Sequence, residues 1–282
     1  MTEIVLGAPG CGKTTTLISI VDGELSNGTP PERIAYLTFT RKAAGEATGR
    51  ALKKFGFKKS DFPFFSTLHA LCYHSLGVKD GDVLEGKSAI EFGRYAGVEV
   101  TGKTYSDDGT RLGFNFGDRI MFMENLARAR GIDLADQYRQ DDDGLPWSEV
   151  DRVARALKEY KHDNGLIDFT DMLSRFVKSR VRIPIDVLLV DETQDLSYSQ
   201  WLVVNMLAQN CRRVVVAGDD DQCHPAGTMI LTPKGQTPIE KLKNGDLVIQ
   251  WDREGQQTTR AHPVHCSRHW HNGDLVRVNN VE

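Results

Sequence analysis

Apolar and polar positions along the 282-residue chain follow two different rhythms, which meet near residue 223. The opening stretch EIVLGAPGCGKTTTLISIV passes from a short apolar run through a glycine-rich turn into a helical pattern. After a proline-containing turn, RIAYLTFT predicts a second strand. From about Ala43 to Leu173 apolar residues recur mostly at spacings of three and four. DRIMFMENLARARGI and SEVDRVARALKEYKHDNG show this best and predict helices, separated by Gly- and Asp-rich loops such as TYSDDGTRLG and QDDDGLP. IDVLLVDE and RRVVVAGDDD then return as short continuous apolar runs, the pattern of parallel strands buried on both faces. The expected fold class is α/β: a parallel sheet built from residues 1–70 and 165–222, with a helical insertion over 71–164. After Cys223, TMILTPKGQTPI and DLVIQWD are short β-type runs punctuated by Pro-Lys-Gly and Asn-Gly-Asp turns, and HPVHCSRHWHNGDLVRVNN keeps that character. Residues 223–282 are expected to form a partial all-β domain.

Composition narrows the compartment more than the activity. A formal charge of -4 and a pI near 6.1 give no overall attraction to nucleic acid, so any such contact must come from a local groove. The five cysteines (Cys11, Cys72, Cys211, Cys223 and Cys266) are odd in number and form no C-x-x-C pair, which fits a reducing cytosol. The start MTEIVLGAPG lacks the basic and apolar regions of a signal peptide, and no apolar run reaches the ~20 residues that span a bilayer. The expectation is a soluble cytoplasmic protein.

The chemistry begins at GAPGCGKT, which fits G-x-x-x-x-G-K-S/T between a strand and a helix. Gly7, Ala8, Pro9, Gly10, Cys11 and Gly12 would curl so that backbone N–H groups face phosphate oxygens at a helix N-terminus, with Cys11 a spacer. Lys13 supplies a mobile positive charge for the outer phosphates. The Thr14 hydroxyl is a ligand for Mg2+, with Thr15 following it. LLVDETQD supplies the other half of a nucleotide-hydrolysing site. Its strand delivers Asp191, to hold the metal, and Glu192, to orient or deprotonate the attacking water.

GAPGCGKTTTL, LTFTRKAAGEATGR, FSTLHALCY, IDFTDML, VDETQDLSYSQ and VAGDDDQ occur in the order found in UvrD/Rep-type superfamily 1 DNA helicases, and residues 1–222 resemble that family over nearly their whole length. The resemblance implies a RecA-like P-loop domain that binds ATP and Mg2+, with single-stranded DNA lying across the top of its sheet. It assigns Thr38, Phe39, Thr40 and Lys42, with Thr67 and His69, to the DNA path. It makes Gln194 and Gln222 sensors of the γ-phosphate, and it places Asp168 and Asp171 in a short segment before the second acid strand. By residue type alone His69 is equally an ordinary packed histidine, Phe39 a core side chain, and Arg41 with Lys42 a solvated helix start. Arg41 also stands where the family commonly has Asn.

After GDDDQ the family continues toward a second RecA-like domain that completes the ATPase, and this chain does not. One such domain binds nucleotide but cannot translocate. CHPAGTMILTPKGQTPIEKLKNGDLVIQWD instead resembles the N-terminal segment of an intein, of the Hint fold shared with hedgehog autoprocessing domains. That resemblance implies that Cys223 attacks the carbonyl of Gln222, and that a complementary polypeptide carries the C-terminal intein and helicase segments. The Thr-x-x-His segment and terminal Asn of an intein have no counterpart here, and Asn279 and Asn280 precede Val-Glu. Two other readings stay open. One is a stand-alone ATP-binding module with a degenerate Hint remnant. The other is a zinc-binding tail using His262, His265, Cys266, His269 and His271 with Cys223 and His224, whose spacing matches no standard ligand set.

Overall fold

The computed structural model describes residues 2–7, 11–102, 115–140, 144–219, 229–233, 235–242, 247–251 and 257–263. The chain divides into two units, Met1–Cys223 and His224–Glu282.

In the first unit, four short apolar runs become the parallel strands β1 (Thr2–Leu6), β2 (Ile34–Thr38), β4 (Val187–Val190) and β5 (Arg213–Gly218), joined by the three-residue β3 (Phe65–Thr67). They form one sheet in the order β1-β5-β4-β2-β3, every neighbouring pair parallel. Every residue of β2 and β4 is buried, as expected of strands covered on both faces. The period of two divides their side chains. Ile34, Tyr36, Val187, Leu189, Val215 and Ala217 pack toward α1 (Lys13–Ser26) and α2 (Arg41–Phe55). Ala35, Leu37, Leu188, Val190 and Val214 pack toward α3 (Leu68–Ser75), α8 (Phe169–Ser179) and α9 (Tyr198–Ala208).

Between α3 and α8 lie α4 (Lys87–Ala96), α5 (Phe116–Arg130), α6 (Leu134–Gln140) and α7 (Trp147–Asp163). The apolar stripes of α4, α5 and α7 close on a third core around Phe92, Ile120, Met123, Val150, Val153 and Leu157. Within the Met1–Cys223 unit, this helical layer is tied to the sheet helices by polar contacts as well as packing. The Ser199 hydroxyl of α9 donates to the Arg128 carbonyl of α5 at 3.0 Å. No helix among the described residues is long and apolar enough to cross a membrane.

Among the described residues, the second unit contains two antiparallel pairs. β6 (Met229–Thr232) pairs with β7 (Gly235–Pro238), and β8 (Leu247–Trp251) pairs with β9 (Gln257–Pro263). The Pro-Lys-Gly stretch makes a two-residue connection between Thr232 and Gly235. Gly235 sits at φ 104°, a region that side chains rarely occupy.

Candidate nucleotide-binding site

The phosphate loop leaves β1 and enters α1 at Gly12, whose φ of 96° is accessible at low cost only without a Cβ. Gly7 is constrained differently, because a Cβ there would lie 2.4 Å from the Cys11 sulfur. Cys11 therefore packs against the loop's first glycine, consistent with a spacer. Lys13 is buried and donates to the Gly7 carbonyl at 2.5 Å, so its ammonium is folded back inside the loop. Ala8, Pro9 and Gly10 lie outside the described residues.

Thr14 and Asp191 meet although 177 positions separate them. The Thr14 hydroxyl donates to Asp191 Oδ2 at 3.1 Å. Asp191 is the first residue past β4, and its backbone N–H donates to the Leu37 carbonyl of β2 at 2.8 Å, which fixes where the carboxylate emerges. That carboxylate is 3% exposed and accepts two further bonds, from the Glu192 N–H at 3.0 Å and from the Tyr36 hydroxyl at 2.6 Å. Burial, followed by the adjacent Asp191 charge, pushes the Tyr36 phenol well above its ordinary range, so it stays a donor. Tyr36 was not among the residues singled out from sequence. Its only signal there is one hydroxyl-bearing ring among the aliphatic residues of a strand that ends in Thr38.

The next residues wire this acid to the end of β5. Glu192 adopts φ 55°, ψ 46°, a left-handed conformation that costs a non-glycine residue energy and persists where surrounding structure enforces it. Gln194 Nε2 donates to Glu192 Oε2 at 2.8 Å, and Gln194 Oε1 accepts from the Asp219 N–H at 3.1 Å. Thr193 donates its hydroxyl to the Ala217 carbonyl at 3.0 Å. Gly218 lies beneath both side chains, where a Cβ would come within 2.7 Å of the Thr193 oxygen. The Gly7 N–H donates to the Gly218 carbonyl at 3.2 Å, so the phosphate loop, the acid loop and the end of β5 form one connected surface.

β2 and β3 are neighbours with Thr38 opposite Thr67, so α2 and α3 begin side by side at the same edge of the sheet. Thr40 caps α2 by accepting from the Ala43 N–H at 3.2 Å, and Thr67 caps α3 by accepting from Ala70 at the same distance. Thr38 is buried and donates to the Thr40 carbonyl. Phe39 is half-buried against the sheet core, Lys42 is exposed, and His69 stands edge-on to Phe169 with ring centroids 5.7 Å apart.

Asp168 and Asp171, on either side of the Phe169 that meets His69, belong to a partly buried ionic cluster. They form a capping box at the start of α8. Arg128 reaches Asp168 at 2.5 Å and Asp171 at 3.0 Å, Lys161 reaches both at 2.6 Å, and Glu124 holds Arg128 at 2.7 Å. Against the penalty of burial, Arg128 and then Lys161 hold the Asp168 carboxyl well below the usual carboxylate range. Gln222, Cys223 and the tail residues His224, His265, Cys266, His269 and His271 lie outside the described residues, and of His262 only the backbone is described.

Thr14 and Asp191 are hard oxygen donors converging on one point, the donor chemistry that suits Mg2+ bound with a nucleotide. A model of the UvrD/REP helicase N-terminal domain matches residues 2–223. A putative ATP-dependent DNA helicase, YjcD of Bacillus subtilis, is 24% identical over 242 residues, covering 78% of this chain and 30% of its own length. The ATP-dependent DNA helicase Rep of Escherichia coli is 25% identical over 240 residues, covering 78% and 34%. DNA helicase II of Salmonella typhimurium is 26% identical over 251 residues, covering 78% and 31%. The chain thus spans about a third of the length of the curated relatives it matches. By the extent of the family match and the meeting of its phosphate loop with its acid strand, the chain belongs to the UvrD/Rep helicases through their N-terminal domain.

Proposed function

We propose that residues 1–222 are the ATP- and single-stranded-DNA-binding half of a UvrD/Rep-type helicase, and that Cys223 begins the N-terminal part of an intein that joins this half to its continuation. The observation that carries the reading is a coincidence of position. The family match ends at residue 223, where an intein-type cysteine stands directly after a helicase motif. In this assignment residues 1–70 and 165–222 are the RecA-like domain, 71–164 its insertion, and 223–282 the Hint segment. The setting is the cytoplasm.

Nucleotide would settle on the Gly7–Thr15 loop, where the Lys13 ammonium exchanges the Gly7 carbonyl for phosphate oxygens. Thr14 and Asp191 would hold the accompanying Mg2+, which supplies charge neutralisation at the phosphates when bound. Glu192 holds the attacking water, and Gln194, already bonded to both Glu192 and the Asp219 backbone, carries the state of the phosphate to the segment that includes Gln222. Single-stranded DNA runs over the helix starts at Thr40 and Thr67, with Thr38, Phe39, Lys42 and His69 beneath or beside it.

At the junction, Cys223 Sγ bonds to the Gln222 carbonyl carbon as the Gln222–Cys223 C–N bond breaks. The thiol proton ends on the released Cys223 amine, and the product is a thioester. The remaining steps need the complementary polypeptide. The test mixes the chain with the polypeptide of the same genome that resumes the family sequence. A ligated helicase of full length on a gel, abolished by Cys223→Ala, is the expected result. Nucleotide binding with neither ligation nor thiol-induced cleavage would instead mark a module with an inert tail. Stoichiometric zinc in the purified chain would favour a metal-binding tail.

A further inference from the structure

Arg128 is held at both ends. Its main-chain carbonyl, in the last turn of α5, accepts from the Ser199 hydroxyl of α9 at 3.0 Å and from the Gly131 N–H at 3.1 Å. Its guanidinium reaches across to Asp168 and Asp171, which cap the start of α8. Beside the first contact, the Tyr198 ring lies so close to Gly131 that a Cβ there would fall 2.6 Å from it. Gly131 takes φ 68° to end α5, so the tyrosine rests on the residue type that meets both demands.

Each end leads to a different surface. Tyr198 and Ser199 open α9, whose N-cap Ser197 is fixed by a capping box with Gln200. Leu196 alone parts that cap from the turn Thr193–Asp195, and the Gln194 side chain in this turn bonds to Glu192 and to the Asp219 backbone. Glu192 is the strained residue of the stretch, at φ 55°, so its relaxation to an ordinary conformation would swing the start of α9. On the other side, Phe169 follows Asp168 directly and stands edge-on to His69 at 5.7 Å, next to the Thr67 cap of α3. α8 and α9 also meet through apolar side chains. Such contacts are non-directional and let helices slide, whereas the two ends of Arg128 fix their register.

We infer that Arg128 is a positioning residue that couples the nucleotide site to the DNA path through the helical insertion. Tyr198 and Ser199 transmit the state of the acid loop to the end of α5. The Arg128 guanidinium passes it through Asp168 to Phe169 and His69. The inference rests on the reading of residues 1–222 as an ATP- and DNA-binding half. Linkage makes such a coupling reciprocal, so it is readable in binding alone, without hydrolysis.

The probe is a fluorescent single-stranded oligothymidylate, titrated against the full chain with and without saturating ATP and Mg2+. The DNA affinity of the parent is expected to change about fivefold or more when nucleotide is present. Tyr198→Ala with Ser199→Ala is expected to bring that ratio to within about twofold of unity, with the affinity for each ligand alone as in the parent. Tyr198→Phe, which keeps the ring on Gly131, should keep the parent's ratio. A parent-like ratio in the double variant would overturn the route, as would a parent that binds both ligands independently. Loss of affinity for either ligand alone in the double variant would make these residues structural supports and overturn the inference as well. All three results leave the binding reading standing. A parent that binds neither the oligonucleotide nor ATP would remove that reading and the coupling together.

Discussion

The Tyr36 hydroxyl and the Thr14 hydroxyl both donate to one oxygen of Asp191, at 2.6 and 3.1 Å. A strand residue with no part in the phosphate loop thus helps aim the carboxylate that would carry the metal. Tyr36→Phe keeps the buried ring and removes the donor, which should cost about 1.5–3 kcal/mol as a lost bond to a charged group. In a titration with a fluorescent ATP analogue, the Mg2+ needed for half-maximal binding should rise several-fold. Binding measured in excess chelator should be unchanged. Equal Mg2+ dependence in both proteins would separate Tyr36 from the metal site.

Lys13 now spends its charge on a carbonyl, at 2.5 Å from the Gly7 oxygen. Lys13→Ala should therefore disturb the empty protein little and the nucleotide complex greatly. The expected loss is at least about tenfold in ATP affinity, the worth of one charge-assisted hydrogen bond. Thermal melting checks it: ATP raises the midpoint of the parent by mass action and should leave that of the variant unmoved.

Asp168 neutralises Arg128 and Lys161 in the interior. Asp168→Asn leaves two cations with reduced compensation and should destabilise the chain by about 3–5 kcal/mol in urea unfolding at neutral pH. The pH dependence has a definite sign. The folded carboxyl is held below its unfolded value of about 3.9, so its contribution is complete above that pH and is lost as the pH falls through and below it. The gap between parent and variant should hold down to about pH 4 and narrow progressively as the pH falls below it.

Gly218 has no room for a side chain beside Thr193 and Gln194. Gly218→Ala should displace the Thr193 hydroxyl from the Ala217 carbonyl and cost about 1–3 kcal/mol. Because Gln194 also holds the Asp219 N–H, amide exchange at Asp219 should quicken in the variant. Slow exchange there would show that the loop accommodates the methyl elsewhere.

Much of the sheet was legible because β2, β4 and β5 are continuous apolar runs, and burial on both faces leaves no other pattern for them. β3 was not, since three residues of strand between Phe65 and Thr67 give periodicity nothing to act on. The convergence of Thr14 with Asp191 followed from their residue types and flanking elements. The role of Tyr36 did not, because its partner is 155 positions away and its ring satisfies the core pattern without the hydroxyl. Asp168 was noticed for its place in a motif. Its partners Arg128 and Lys161 lie on helices whose charged residues look like solvated surface until the helices pack. The exposure of Ile4 and Leu6 was hidden for a similar reason, since an edge strand and a central one can share the same letters.

The Gln194 amide bridges Glu192 and the Asp219 backbone. Four residues, Asp219 to Gln222, separate the Asp219 N–H from the bond proposed to be cut, so the bond lies within about 14 Å of the bridge. A protein interrupted in a distant loop would yield two fragments, each idle or active on its own terms. On the proposed reading, an interruption at this spot would make assembly and ignition the same event, because the covalent join would also be the last piece of wiring between fuel and track.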